Sequence, residues 1–296
     1  MKSINEQAKN EISIIGKLLD VTTAAGKLND GRAYERANLT VRVTQEYGGR
    51  EETSEVPVSM FAAQFTSHGT PNPAYKTIQD LKTMQTAQNV GYDNADRIRL
   101  SGATLRENAF VSRNGTLVDG WQLNASFANK TNKKDCATFA TDIFIMDMHA
   151  EEDRDGDSTG RLVIKGGIVQ YGGRLDVIEF IVENPTAVDY IERNWNINDT
   201  VSCVGFIRVT SVEVSAAAND SSWGESIPQT TTRYVRELII TNGDDTGKDE
   251  DFAYDATEIK KAFNVRKANL EQLQIDAKNV ASKKSTAQSA SKYDWE

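Results

Sequence analysis

The side chains that could do chemistry here are cations set beside aromatic rings. In residues 1–135 they are Arg42, Tyr47, Arg50, Phe61, Arg97, Arg99, Arg106, Phe110, Arg113 and Trp121. In residues 136–243 they are Lys165, Tyr171, Arg174, Phe206, Arg208, Trp223, Arg233, Tyr234 and Arg236. Rings offer a face for stacking and guanidinium forks pair with phosphate oxygens, so the combination suits an extended strand of nucleotides. A competing reading puts Phe110 and Trp121 in a core and leaves the arginines solvated. Arg97 and Arg99 share one strand face opposite Ile98 and Leu100, so a core cannot account for them. Bond-making chemistry has little support. His68 and His149 stand far apart, and there is neither a Gly-x-x-x-x-Gly-Lys phosphate loop nor a Gly-x-Ser-x-Gly elbow. The loop Asp153-Arg154-Asp155-Gly156-Asp157 lacks the sixth-position Gly and twelfth-position Glu of a calcium loop, the twelfth residue being Ile164. A binding protein is expected, not an enzyme, with no cofactor and no metal.

The elements that must position these residues come twice. Gln45-Glu46-Tyr47-Gly48-Gly49-Arg50 follows the alternating run Leu39, Val41, Val43, and Gln170-Tyr171-Gly172-Gly173-Arg174 follows Leu162, Ile164 and Ile168. A Gly-Gly pair between two alternating segments predicts a tight hairpin, because Gly takes positive φ without strain. A second match lies downstream: Asp96 to Gly102 aligns with Asp199 to Gly205, acid and glycine at the same offset. Each follows a helix-like stretch, Pro71 to Asn89 in one case and Pro185 to Trp195 in the other. Strand, hairpin, strand, helix, glycine-interrupted strand and a last strand thus recur as two copies of one small β-domain.

Three segments are expected around that repeat: domains at 1–135 and 136–243, then a C-terminal region at 244–296. Residues 1–10 read as flexible, 21–32 as a loop, and 244–255 as an acidic linker. In 257–281, Ile259, Phe263, Leu270, Leu273, Ala277 and Val280 fall on a/d-type positions with Arg266 breaking the set. That predicts a helix that either packs on a barrel or pairs with a second copy. Residues 282–292 read as a disordered linker to Tyr293-Asp294-Trp295-Glu296, an aromatic and acidic tip suited to a partner's pocket.

Composition narrows the compartment and the partner. The 296 residues contain two cysteines and no run near the ~20 apolar residues of a membrane span, so a soluble, cytoplasmic protein without a disulfide framework is expected. The net charge of −9 argues against non-specific duplex binding. Its distribution is uneven: 17 Lys and Arg against 15 Asp and Glu in 1–135 (+2), 8 against 17 in 136–243 (−9), and 9 against 11 in 244–296 (−2). The first repeat is therefore expected to carry most of any affinity for an anionic strand.

Five strands with a helix between the third and fourth is the order of an OB-fold, a partly open Greek-key barrel. The expected fold is mainly β: two OB-fold-like five-stranded barrels in tandem, a C-terminal helix and a flexible tail. As a whole, residues 11–241 and the tail resemble single-stranded DNA-binding proteins, more the divergent kind encoded by bacteriophages than the short bacterial form. The resemblance implies sequence-tolerant binding of single-stranded DNA in replication, recombination or repair, in the host cytoplasm if viral. It also implies a tip, Tyr293, Asp294, Trp295 and Glu296, that recruits replication or recombination proteins. This chain departs from the bacterial pattern in its two repeats, its helix before the tail and a tip without Pro-Phe. The rival expectation is a phage structural or assembly protein whose β-domains bind proteins.

Overall fold

The computed structural model describes residues 1–112, 114–216, 229–244 and 251–290, with 212–216, 229–233 and 281–290 described by backbone alone. The first repeat contains β1 (Asn10–Lys27), β2 (Ala33–Tyr47), β3 (Arg50–Ala63), α1 (Pro73–Leu81), α2 (Ala87–Val90) and β4 (Arg97–Glu107). A small hairpin of β5 (Phe110–Val111) and β6 (Leu117–Val118) follows, then β7 (Trp121–Asn124) and β8 (Phe127–Lys130). The ring closes in the order β1-β2-β3-β7-β4 and back to β1, with β3 and β7 parallel at Ser59 and Asn124. The second repeat contains β9 (Cys136–Glu152), β10 (Ser158–Val169), β11 (Leu175–Val182), α3 (Pro185–Asn194), β12 (Thr200–Ala216) and β13 (Gln229–Asp244). It closes as β9-β10-β11-β13-β12 and back to β9, with β11 and β13 parallel at Ile181 and Ile239. Both rings have OB-fold connectivity. They are fused by antiparallel pairing of β1 with β9, from Asn10 opposite Thr141 to Ile15 opposite Cys136.

Period-two alternation drives both closures. Leu39, Val41, Val43, Val56, Val58 and Met60 all point into the first barrel and are buried. Ile164, Phe180, Ile207 and Leu238 do the same in the second. Each barrel is plugged by the helix between its third and fourth strands, α1 through Ile78 and Leu81 and α3 through Ile191. Both helices start on an Asn-Pro pair. Asn72 accepts from Ala74 N–H, Asn184 accepts from Thr186 and Ala187 N–H, and the proline occupies a first-turn position that has no partner to lose.

Several local expectations needed correction. The first Gly-Gly pair is a two-residue hairpin, with Gly48 and Gly49 at φ of 57° and 77° between Tyr47 and its partner Arg50. The second is a 3-10 turn at Tyr171–Gly173 closed by Gln170 N–H on the Arg174 carbonyl at 2.7 Å. Strand β1 runs through most of the expected loop, to Lys27. The N-terminus is also held: Lys2 N–H donates to the Ala253 carbonyl, Ile4 N–H to Glu258, and the buried Tyr254 hydroxyl to the Glu6 carbonyl. A final helix, α4 (Ala256–Ala290), continues past Ala281 through most of the expected linker. Its break in the heptad, Arg266, makes a two-pronged ion pair with Glu107 at 2.6–2.9 Å, joining the helix to β4. Among the described residues no helix is long and apolar enough to cross a membrane.

The repeated glycines sit at the same point of the fourth strand. At Gly205 an added Cβ would lie 1.9 Å from the Ile239 carbonyl oxygen and 2.6 Å from the Phe139 ring. The Ile239 carbonyl cannot yield without moving a paired strand. Gly205→Ala is expected to destabilise the chain by about 2–3 kcal/mol in urea unfolding.

Candidate nucleic-acid interface

Strands two and three of the first barrel turn their polar side outward. The register sets Arg36 opposite Phe61, Asn38 opposite Ser59, Thr40 opposite Pro57 and Arg42 opposite Glu55. At one end the Tyr34 ring lies over Gly26, where a Cβ would be 2.6 Å from it, so only glycine leaves room for the ring. Its centroid is 5.1 Å from that of Phe61, tilted by 36°, and Phe61 is 58% exposed. A groove of ≈ 440 Å³ runs past Phe61, lined also by Arg36, Asn38, Ser59, Gln122 and Asn124. Through Gly102 and Thr104 it meets a second groove of ≈ 620 Å³ over the junction of the barrels, where Arg99 is exposed. Arg36, Arg50 and Arg99 have no carboxylate within ion-pair distance among the described residues.

The site residues read from the sequence divide by their surroundings. Phe61, Arg50 and Arg99 lie on the open surface, as do Phe110 on β5 and Tyr171, 87% exposed at its turn. Arg42 pairs with Glu55 and sits 5.1 Å over the Tyr92 ring, which Lys17 also approaches at 5.0 Å. Arg97 is held by Asp135 and donates to the Lys133 carbonyl. Arg106 and Arg174 both donate to Asp176, a side chain only 1% exposed. Lys165 is 3.5 Å from Glu179, and Trp121 is half-buried against the core. Tyr234 and Arg236 are exposed on β13. Of Arg233 only the backbone is described, and Arg113, Trp223, Tyr293, Asp294, Trp295 and Glu296 lie outside the described residues. Spacing did not single out Tyr34, Arg36, Asn38, Gln122 or Asn124. The signal for Arg36 and Asn38 was present, since they share the alternating face of Arg42.

Tyr47 and Arg208 do not stand on an open surface. Arg208, 15% exposed, donates to Glu52 at 3.0 Å, Glu183 at 2.8 Å and Glu237 at 3.4 Å. The Tyr47 ring is 4.0 Å from Phe206, and the Glu183 carboxylate lies near its hydroxyl. Burial, reinforced by that carboxylate, pushes the phenol up to about 12. The hydrogen bond from Arg208 holds the Glu183 carboxyl below its ordinary value, and Glu183 and Glu52 raise the guanidinium in return. Since Tyr47 and Glu52 belong to the first barrel and the others to the second, the cluster is a clamp between them. It caps an apolar row, Val163, Ile181, Ile239 and Phe206, across the outer side of the second barrel. Farther along that side a cavity of ≈ 750 Å³ is roofed by Phe263, Arg266 and Leu270 of α4. The second barrel's strand-two and strand-three face is thus covered around Val163 and Ile181, while Lys165 and Glu179 remain accessible beside the α4-roofed cavity.

The acidic turn at Asp153 is closed on itself, its carboxylate accepting from the N–H groups of Asp155 and Asp157. Among the described residues no group of three or more His, Cys, Asp or Glu side chains is placed to hold a metal ion.

Two OB-type barrels fused strand to strand thus carry a groove with an exposed ring, Phe61, and cations that have no carboxylate partner among the described residues. The chain matches the YorF family over residues 9–276 and belongs to that family. A search of curated proteins gave no match. Among solved structures, the wild-type single-stranded DNA binding protein from Thermus aquaticus is similar, with a TM-score of 0.50 and 12% identity over 81% of this chain and 93% of that one. A deletion mutant of the same protein gives a TM-score of 0.49 at 12% identity, over 80% and 94%. At that identity the likeness is one of fold.

Proposed function

We propose that the protein binds single-stranded DNA, without sequence preference and without chemistry, on the outer face of β2 and β3. The observation that carries this is the exposed Phe61 ring, packed on the half-buried Tyr34, beside Arg36 in a groove lined by amides and hydroxyls. Bases stack on such rings whatever their identity, while neighbouring cations meet the phosphates. The fold shared with a DNA-binding protein of T. aquaticus supports the reading. In it Arg97, Arg106, Arg174 and Arg208 serve to fix loops and barrels, and Tyr47 joins them. The division into 1–135, 136–243 and 244–296 is kept. The first unit carries most of the affinity, since its charge is +2 against −9 and its face is open. A role in phage replication, recombination or repair, and recruitment of partner proteins by Tyr293 to Glu296, belong to the same proposal.

Fluorescence anisotropy of labelled oligo-dT tests it. Binding is expected at ~50 mM salt and should weaken steeply by ~200 mM, with a log–log slope of about −0.7 per phosphate contacted. Absence of binding at the lower salt would favour a structural or assembly protein whose β-domains contact other proteins.

A further inference from the structure

We propose that the strand site is composite: an arm from the second barrel forms its far wall, with Tyr234 and Arg236 as contacts. This rests on the reading of β2 and β3 as a DNA face. Strand β12 pairs with β9 only from Thr200 to Phe206, and β13 meets β11 at Ile239. Beyond those points β12 and β13 pair only with each other, as far as Ala216 opposite Gln229. A two-stranded ribbon of that length cannot stand alone without support. Its support is the first barrel. Val209 N–H donates to the buried Ser54 hydroxyl at 3.1 Å, and Arg208 beside it grips Glu52 of the same strand.

So anchored, the arm leans over the outer face of the first barrel. A cleft of ≈ 210 Å³ separates Thr40, Glu55 and Pro57 from Val209, Tyr234 and Arg236. Tyr234 is 54% exposed and has no ring or cation stacked on it among the described residues. Arg236 is exposed with no carboxylate within 4 Å among them, and the acid lining the cleft, Glu55, is already held by Arg42. The register places Thr40 and Pro57 four residues, two same-face positions, along the strands from Arg36 and Phe61. A strand stacked on Tyr34 and Phe61 and running along β2 and β3 therefore reaches a second ring and a second cation, both from the other barrel.

The test uses the full chain with Tyr234→Ala and Arg236→Ala combined, and oligo-dT of about 6 and about 20 nucleotides, at the low end and beyond the ~4–16 of one OB-fold. The double variant is expected to lose about tenfold on the long strand and less than twofold on the short one, with the salt slope shallower by about 0.7 on the long strand alone. Tyr234→Phe keeps the ring and is expected to bind as wild type. Equal affinity of wild type and double variant on both lengths, or equal loss on both, would overturn the composite site while leaving the β2–β3 reading intact. Wild type failing to bind either length would remove both.

Discussion

Replacing Tyr34 and Phe61 together by Ala is expected to weaken oligo-dT binding by roughly 30-fold or more, about 2 kcal/mol, with little change in unfolding. Each stacked base is worth about 1–3 kcal/mol by alanine substitution, so two rings in one platform should dominate the site. Stability should barely respond, because Phe61 is exposed and Tyr34 rests on Gly26, outside either core. Gly26→Ala should act in the same direction while leaving both rings in the sequence, since its Cβ would displace the Tyr34 phenol. Arg36→Ala is a different kind of change. It should lower affinity at low salt and make the salt slope shallower by about 0.7, the mark of a lost phosphate contact. Anisotropy at several salt concentrations separates the two effects. Wild-type affinity in the Tyr34, Phe61 double variant would move the stacking platform elsewhere, with the exposed Tyr171 and Phe110 the next rings to replace.

Arg208→Ala is expected to cost about 2–4 kcal/mol in stability at neutral pH and to loosen the two barrels together. The guanidinium is the hub for three carboxylates, and removing it leaves Glu52, Glu183 and Glu237 facing one another beside the Tyr47 hydroxyl. Stripping the partner from a fully buried charge costs about 3–5 kcal/mol, reduced here because the carboxylates are 17–31% exposed. The sign with pH follows from Glu183. Its folded pKa is depressed below 4.5, so its contribution is complete above that value and is lost as pH falls through the folded value. The gap between wild type and Arg208→Ala in urea unfolding should therefore be widest near neutrality and narrow below about pH 4. A gap independent of pH would assign the loss to packing of the guanidinium on Tyr47 and Phe206, which it approaches at 5.6 and 5.4 Å. Because the same clamp anchors β12 to β3, the variant should also lose part of its affinity for long oligo-dT.

The two barrels could be read without coordinates because their signals are local. Period-two alternation at Leu39, Val41 and Val43 selects a core side within one strand, and Gly48-Gly49 specifies its hairpin within two residues. The order of strands and helix then leaves the OB connectivity as the simple closure. Local signals failed where distant chain supplied the support. Residues 1–10 look polar and free, yet Lys2, Ile4 and Glu6 are tied to Ala253, Glu258 and Tyr254. The helix stretch around Arg266 looks defective as a seam until Glu107, 159 residues away, is seen to meet it.

The same limit governed the site. Alternation could say that Arg42, Arg97, Arg106 and Arg208 point away from a strand's core side, but not what waits there. Asp135 is 38 residues from Arg97, Asp176 is 70 from Arg106, and Glu52 is 156 from Arg208. Whether an outward arginine is free for a ligand or bound into a clamp depends on how one barrel is set against the other. That setting comes from the β1–β9 pairing and the packing of Tyr47 on Phe206, contacts between segments no sequence window contains. Residue type and strand phase were written in the chain; partnership was decided by the tertiary structure, because a charge is satisfied by whatever is nearest in space.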